Sequence, residues 1–302
     1  MAANKEKDFV VKSKTHKFIK TGLNVISNIH PIAAANLGLH AFTTPLKRRK
    51  KNHLLPKGIQ QNYIKLMGKK IAVYSLGQST QTVLFVHGWE GAASDFTHFF
   101  NACVDKGYRV LAVDLPGHGL SSLSQLTAID TAKIIKNLSS SFGPIKAIIG
   151  HSFGAFSSGF AISQYKELKN IPFVSIGSPN KLSKVLTNFS NAVGFSPLQN
   201  EYIFTKLEKK HNIRIKDFEL GKFVSIHAAP VLIVHDKQDK QVPIKVIDEI
   251  KNISASANFL LTDGLGHNRI LKDKNTIDSI IKFIEMNKGS DNESSTTQQR
   301  RA

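Results

Sequence analysis

The chain has 302 residues, of which 41% are apolar, and a formal net charge of +19. This length suits one α/β domain with additions, and the apolar fraction is enough for a large buried core. A single cysteine, Cys103, excludes a disulfide framework. We expect a reducing compartment such as the cytoplasm, although a secreted protein without disulfides would have the same cysteine content. No apolar run reaches the roughly 20 residues of a membrane span. The charged first twenty residues are not typical of a secretory signal.

The positive charge is concentrated in the N-terminal region. Residues 1–70 contain fifteen Lys or Arg and two acids, so they carry thirteen of the nineteen net charges. Such a block can bind anionic lipid headgroups, can bind nucleic acid, or can be a solvated arm without a specific partner. A solvated arm is the simplest interpretation. We expect no specific nucleic acid partner, and we hypothesise a peripheral contact with anionic membranes.

Two helices are predicted before the main domain. Residues 1–14 are polar and without period, which predicts a mobile segment. Apolar residues recur at helical spacing over residues 15–29, and Pro31 can begin a second short helix. We expect both helices to pack on the outside of the main domain, followed by a basic connector over 46–62. Residues 1–62 are therefore predicted to be an N-terminal arm, and 63–287 the main domain.

Short β-rich runs alternate with helical stretches from Lys70 onward. Several of these runs are nearly continuous Val, Ile, Leu and Phe, which is typical of parallel strands that are covered on both faces. The alternation predicts an α/β fold with a doubly wound, mostly parallel sheet. The predicted strands lie at 71–75, 82–87, 109–114, 146–151, 172–177, 230–235 and 258–263. The predicted helices lie near 95–106, 127–141, 153–167, 244–252 and 275–287.

One connection is too long for a loop. About fifty residues separate the strand that ends near Gly177 from the one that starts at Pro230, and apolar residues recur among them. We predict a small helical cap over about 180–228. The polar tail over 288–302 is predicted to be disordered.

A strand, a serine and a helix meet at Gly150-His151-Ser152-Phe153-Gly154. This sequence matches the G-x-S-x-G nucleophile elbow, and it stands at the end of a β run and the start of a helix. The turn is so tight that Cβ atoms at Gly150 and Gly154 would clash, and glycine removes them. Ser152 is therefore the predicted nucleophile.

A serine hydroxyl needs a base, and the base needs a carboxylate to orient it. His267 follows the last predicted strand, between two glycines and an asparagine. Asp239 follows the preceding β run at the same edge of the sheet, although Asp236 could also face the imidazole. The chain order Ser152, Asp239, His267 is the order expected for this fold.

The tetrahedral intermediate of acyl transfer needs N–H donors for its oxyanion. The backbone N–H of Phe153, directly after the nucleophile, is one predicted donor. The loop His87-Gly88-Trp89-Glu90-Gly91 follows an early strand, and the N–H of Trp89 is the second predicted donor.

These motifs together resemble the α/β-hydrolase superfamily. TVLFVHGWEG, RVLAVDLPGHGLSS, GHSFGA, VLIVHDKQDKQVP and GLGHNRIL occur in its order, over about residues 70–287. The chain is most similar to small bacterial esterase-like serine hydrolases with HGW in the oxyanion loop. The resemblance favours Asp239 over Asp236, because the family acid precedes an x-x-Val-Pro step.

The resemblance implies cleavage of a carboxylic ester or thioester through an acyl-enzyme, as in carboxylesterases and lipases. An acyltransferase or a carbon–carbon bond hydrolase could use the same triad. The fold could also serve as a non-catalytic, membrane-associated binding module. We expect no cofactor and no metal ion, because the sequence has no Cys pair, no H-E-x-x-H and no phosphate-binding glycine loop.

Overall fold

The fold is built around one sheet of eight strands. The structure is a computed structural model that describes residues 14–50 and 52–287. Residues 1–13 of the predicted mobile segment and the predicted disordered tail lie outside this part of the chain. The strands are β1 (Gln60–Leu66), β2 (Lys69–Leu76), β3 (Thr82–Val86), β4 (Arg109–Val113), β5 (Ile145–His151), β6 (Phe173–Ile176), β7 (Val231–Asp236) and β8 (Asn258–Thr262).

Most of the sheet is parallel. The strand order is β1-β2-β4-β3-β5-β6-β7-β8, in which β1 and β2 pair antiparallel and every pair from β4 to β8 is parallel. Strands β3, β6 and β7 are buried along their whole length. Burial of this kind explains their continuous apolar sequences, since both faces are covered. The predicted doubly wound, mostly parallel α/β fold is confirmed.

Helices cover both faces of the sheet and form a cap at one edge. Apolar side chains of the helices over 128–142, 153–164, 220–225 and 245–251 contribute to the core on one face, and those of the helices over 97–105 and 274–286 to the core on the other. The helices are α1 (Lys14–Ile29), α2 (Pro31–Thr43), α3 (Thr97–Asp105), α4 (Ala128–Phe142), α5 (Phe153–Gln164), α6 (Leu182–Val193), α7 (Pro197–His211), α8 (Leu220–Ser225), α9 (Lys245–Lys251), α10 (Gly266–Arg269) and α11 (Lys274–Met286).

Strand β1 differs from the prediction. The sequence analysis assigned the first residues of β1 to a basic connector and placed a domain boundary at residue 62, inside this strand. Its sequence, QQNYIKL, is polar and largely exposed, because β1 is an edge strand. A two-residue turn joins it to β2. Met67 and Gly68 both have positive φ there, 50° and 71°, as a type I′ hairpin turn requires. An edge strand with one partner needs no apolar run, which is why the pattern did not reveal it.

The N-terminal helices also differ from expectation, since they pack mainly on the cap. Helices α1 and α2 form a separate apolar core with α6 and α7, to which Leu23, Leu39, Leu186 and Phe195 contribute. The helix pair contacts the main domain at its end, where the Leu126 N–H donates to the Thr43 carbonyl at 2.8 Å. Sequence periodicity shows that a helix face is buried but not which surface covers it.

No helix in the described ranges is both long enough and apolar enough to cross a membrane.

The contact between α2 and the cap gives a first prediction. A Cβ at Gly38 would lie 2.5 Å from Cε2 of Phe195, whereas a Cβ at Gly22 in α1 would meet nothing within 4 Å. We expect Gly38→Ala to lower the free energy of unfolding by about 1–2 kcal/mol, because the Phe195 ring must move. Gly22→Ala is the matched control and should raise it by about 0.5–1 kcal/mol. Urea unfolding measures both, and equal effects would contradict the packing.

Candidate active site

The Ser152 turn has the geometry of a nucleophile elbow. Ser152 joins β5 to α5 with φ 53° and ψ −119°, a conformation that residues other than glycine rarely adopt. A Cβ at Gly150 would lie 2.5 Å from the Ala155 Cα, and one at Gly154 would lie 2.2 Å from the Val86 carbonyl oxygen. Both predicted glycines are therefore required, the second because α5 begins directly against the end of β3.

His267 and Asp239 meet at the carboxyl edge of the sheet. The Nδ1 atom of His267 lies 2.6 Å from Oδ2 of Asp239, and both side chains are buried. The other oxygen of Asp239 accepts from the Gln241 and Val242 N–H groups at 2.7 and 2.9 Å. Because a carboxylate only accepts, Nδ1 carries a hydrogen, and in the neutral tautomer of the ring the lone pair is therefore on Nε2.

The carboxyl of Asp239 is held in its charged form. Burial alone would raise its pKa, but the hydrogen bonds from His267, Val242 and Gln241 outweigh burial and lower the pKa below its ordinary value. A charged carboxylate beside the ring fixes the tautomer and can stabilise an imidazolium.

Asp236, the alternative acid, has different partners. Its carboxylate accepts from the Thr262 hydroxyl at 2.7 Å and from the Leu265 and Gln238 N–H groups at 2.9 Å. Burial acts to raise the pKa of Asp236, and these hydrogen bonds lower it below its ordinary value. Asp236 therefore supports the loop that carries His267, while Asp239 contacts the imidazole itself.

Ser152 and the His267 ring both lie against the end of β6. The Ser152 N–H donates to the Ile176 carbonyl at 2.8 Å, and a Cβ at the next residue, Gly177, would lie 3.4 Å from the His267 ring. Among the described residues, no hydrogen bond joins the Ser152 hydroxyl to His267. Such bonds are often long in ligand-free enzymes and tighten when substrate binds.

The side chains of the two predicted oxyanion residues are in contact. The rings of Trp89 and Phe153 pack edge to face with centroids 5.3 Å apart. Within residues 52–287, neither backbone N–H has a hydrogen-bond acceptor. The N–H of Phe153 belongs to the first turn of α5, where intrahelical acceptors are lacking. Unpaired N–H groups at these two positions are what the predicted oxyanion site requires.

The loop that carries Trp89 is fixed by a buried histidine. Nε2 of His118 accepts from the Glu90 N–H at 3.0 Å, and its Nδ1 lies 3.0 Å from the Pro116 carbonyl. Burial lowers the pKa of His118 to about 3, so its ring stays neutral and can accept. Glu90 has φ 54°, and the His118 contact helps to hold that conformation.

His151, which precedes the nucleophile in the chain, contacts the segment that carries the candidate base. Its Nε2 is 2.9 Å from the His267 carbonyl oxygen, and the two ring centroids are 4.8 Å apart. Burial lowers the pKa of His151 to about 3. In the same way, Nε2 of His235 lies 2.9 Å from the carbonyl of Val242, in the loop of Asp239. Sequence position beside a motif is the signal that could have identified both.

The basic connector is partly structural. The Lys47 N–H donates to the Glu90 carboxylate at 3.1 Å. The Arg48 guanidinium donates to the Gly119 carbonyl at 2.5 Å and to the Ser121 carbonyl. Part of the N-terminal charge is therefore used to hold the loops beside the candidate oxyanion site.

The described residues contain no group of three or more His, Cys, Asp or Glu side chains that could hold a metal ion.

Comparisons with known proteins agree on the fold. Residues 83–197 match the family described as Alpha/beta hydrolase family. Human Protein ABHD8 is 24% identical over 249 residues, which cover 70% of this chain, and the chain spans only 57% of that protein's length. The structure of a bacterial membrane phospholipase A superposes with a TM-score of 0.60 at 16% identity, covering 92% of this chain and 99% of that one. The structure of the Pyrococcus furiosus esterase Pf2001 superposes with a TM-score of 0.58 at 19% sequence identity. The superposition covers 82% of this chain and 97% of the esterase.

The two carboxylates give a second prediction. We expect Asp239→Asn to lower kcat by about 10³–10⁴-fold, because an amide no longer fixes the tautomer of His267. Asp236→Asn should instead lower the melting temperature. Ester hydrolysis and thermal unfolding measure the two effects. If Asp239→Asn were fully active while Asp236→Asn were stable but inactive, the carboxylate that orients His267 would be that of Asp236.

The buried histidines give a third prediction, on stability. Burial lowers the pKa of His118 and His151 from 6.5 to about 3 and also lowers the pKa of His87 and His235. Below pH 6.5 the unfolded chain binds protons that the folded chain does not. Stability is therefore full above about pH 6.5 and falls toward acid by up to about 1.4 kcal/mol per pH unit for each histidine. Urea unfolding from pH 7.5 to 5 measures the slope.

The His118→Gln variant is the comparison for this slope. This variant should be less stable than the parent at pH 7.5. Its free energy of unfolding should fall less steeply toward acid pH, because its unfolding takes up about one proton fewer. A free energy of unfolding that stays constant between pH 7.5 and 5 would contradict the assignment of neutral buried rings.

Proposed function

We propose that the chain, whose residues 83–197 match the family described as Alpha/beta hydrolase family, is a serine hydrolase that cleaves a carboxylic ester or thioester through an acyl-enzyme. The observation that carries the proposal is the 2.6 Å contact between His267 and the buried Asp239, at the sheet edge where the Ser152 elbow lies. An imidazole oriented by a carboxylate beside a strained serine is the arrangement that acyl transfer requires.

Acylation follows from this arrangement. The Ser152 oxygen attacks the substrate carbonyl carbon, and Nε2 of His267 takes the hydroxyl proton. Negative charge develops on the carbonyl oxygen, where the N–H groups of Trp89 and Phe153 bind it. One such donor contributes about 3–4 kcal/mol to the transition state. Collapse of the intermediate expels the alcohol or thiol, which takes the proton from His267.

Deacylation repeats these steps with water. His267 removes a proton from water, the resulting oxygen nucleophile attacks the acyl carbon, and the Ser152 oxygen leaves with that proton. The products are a carboxylic acid and the free enzyme. Asp239 remains charged throughout and stabilises the imidazolium that forms twice in each cycle.

An apolar substrate portion is favoured by the surroundings of the site. The indole of Trp89 and the ring of Phe153 flank the two candidate oxyanion donors. The esterase and phospholipase structures that superpose on the chain are named for ester substrates. We therefore propose carboxylesterase- or lipase-like activity on esters with a hydrophobic acyl or alcohol group.

Replacement of the nucleophile is the fourth prediction. We expect Ser152→Ala to reduce hydrolysis of short p-nitrophenyl esters by about 10³-fold or more, because no other group can form the acyl-enzyme. The same variant should not react with a fluorophosphonate probe that labels the parent. Initial rates and labelling of the purified protein measure both effects.

Ser163→Ala is the matched control, since Ser163 lies on the same helix and its hydroxyl donates to the Phe160 carbonyl and accepts from the exposed Gln164 side chain, away from the candidate site. It should react as the parent does. Equal hydrolysis by Ser152→Ala would overturn the mechanism, and a parent that neither hydrolyses nor labels would favour a non-catalytic module. Added alcohols or amines that capture the acyl group would identify an acyltransferase.

A further inference from the structure

The candidate oxyanion donor Trp89 lies in a strained turn. The Gly91 N–H donates to the Gly88 carbonyl at 3.0 Å, which closes a β-turn with Trp89 and Glu90 at its centre. Glu90 has φ 54°, whereas φ of Trp89 is not positive. This is the pattern of a type II turn, in which glycine or asparagine usually takes the third position. Glutamate has a Cβ that disfavours this conformation, so other contacts must hold the turn.

The turn sets the direction of the Trp89 N–H. This N–H and the Gly88 carbonyl belong to one planar trans peptide, so the two groups point in opposite directions. The carbonyl accepts from the Gly91 N–H, and Nδ1 of the buried His87 lies 2.7 Å from it. A Cβ at Gly88 would lie 3.0 Å from Cβ of Ser152, so this peptide adjoins the candidate nucleophile. A turn that opens therefore also moves the donor.

Two hydrogen bonds hold Glu90 in its strained conformation. Nε2 of His118 accepts from the Glu90 N–H at 3.0 Å, and the Glu90 carboxylate accepts from the Lys47 N–H at 3.1 Å. Lys47 lies in the basic connector between α2 and β1. The second bond uses the backbone of Lys47, so the charged side chain of that residue takes no part in it.

Arg48 of the same connector holds the loop that carries His118. Its guanidinium donates to the Gly119 carbonyl at 2.5 Å and to the Ser121 carbonyl, and both of these residues are buried. A buried carbonyl that loses its donor costs about as much free energy as a lost hydrogen bond. The planar guanidinium reaches both carbonyls with a fixed fork, which an ammonium group cannot reproduce. Loss of Arg48 would therefore loosen the loop from which His118 reaches Glu90.

A buried carboxylate holds the same two loops in the core. Asp114, which is 1% exposed, accepts from the Ala93 N–H and from the Leu120 N–H, both at 2.8 Å. Both donors lie outside the turn over 88–91. Asp114 therefore anchors the loops beside the turn, whereas the connector reaches the turn itself through Glu90.

We propose that Arg48 and Glu90 are positioning residues for the candidate oxyanion site, so that the basic connector supports turnover. Both side chains act through the Trp89 N–H and neither contacts the substrate. The inference rests on the proposed function, because a misplaced donor matters only where negative charge develops beside it. It deepens that function by giving a role in the reaction to a segment that precedes the α/β domain.

Ester hydrolysis by the full chain tests the proposal. We expect Arg48→Ala to lower kcat on short p-nitrophenyl esters by about 10–100-fold with KM little changed, because a transition-state donor is misplaced but not removed. Glu90→Ala should have the same effect, since the Lys47 N–H loses its acceptor. Lys50→Ala is the matched control. It removes one positive charge from an exposed position of the same connector and should hydrolyse the ester as the parent does.

Two conservative variants separate hydrogen bonding from charge. Glu90→Gln keeps a side-chain oxygen that can accept from the Lys47 N–H, so its kcat should stay within about threefold of the parent's. Arg48→Lys keeps the charge but not the fork, so it should recover only part of the kcat that Arg48→Ala loses. A Glu90→Gln variant as slow as Glu90→Ala would overturn the role of this hydrogen bond.

Labelling with a fluorophosphonate probe distinguishes a misplaced donor from unfolded protein. Arg48→Ala should label to the same final extent as the parent but more slowly, because the phosphonyl oxygen uses the same N–H donors. A smaller final extent, reached at the parent's rate, would show partial unfolding and would overturn the positioning role. If Arg48→Ala does not fold, Glu90→Ala decides by the same measurements.

Ser152→Ala separates this proposal from the proposed function. Parent-like kcat in both Arg48→Ala and Glu90→Ala, beside an inactive Ser152→Ala, would overturn the positioning role and leave the hydrolase intact. A parent without any Ser152-dependent hydrolysis or labelling would refute the hydrolase and the positioning role together.

Discussion

The close approach of α5 to the end of β3 is the constraint on which the site depends. A side chain at Gly154 would overlap the Val86 carbonyl, so only glycine allows the helix to begin there. The chain must then turn from β5 into α5 within one residue, and Ser152 takes a backbone conformation that costs about 1–3 kcal/mol. The buried strands on both sides of β5 supply the rigidity that maintains this strain.

That turn determines where the other groups have to be. It leaves the Phe153 N–H without an intrahelical acceptor, and its Ser152 N–H bonds to the end of β6. The neighbouring loops must then present an imidazole and a second N–H at the same edge. Loops at a sheet edge have few backbone hydrogen bonds of their own, so buried polar side chains fix them instead. Asp236 does this for the His267 loop and His118 for the Trp89 loop.

Patterning predicted β2–β8, because six of these strands carry runs of apolar residues that both faces of the sheet bury. It also predicted the elbow, since Gly150 and Gly154 are needed for a steric reason that is visible in the sequence. Patterning did not predict β1, because this edge strand pairs with only one neighbour and its polar sequence contains no long apolar run. It could not distinguish Asp236 from Asp239 by position, because Asp236 ends β7 and Asp239 follows it closely, and the difference lies in which way each carboxylate points. The packing partner of α1 and α2 likewise depends on contacts with α6 and α7, more than a hundred residues away.

The connector between α2 and β1 joins the N-terminal helices to the candidate active site. It leaves the cap at Thr43 and passes the loops that carry the candidate oxyanion donor, where Lys47 bonds to Glu90 and Arg48 bonds to the Gly119 carbonyl. Glu90 follows Trp89 directly, so the connector bonds to the same short loop that carries the Trp89 N–H. The N-terminal helices are therefore joined to the loops beside Ser152 by a short, hydrogen-bonded segment. The Lys47 backbone and the Arg48 guanidinium make these bonds, so this part of the basic connector has a structural role.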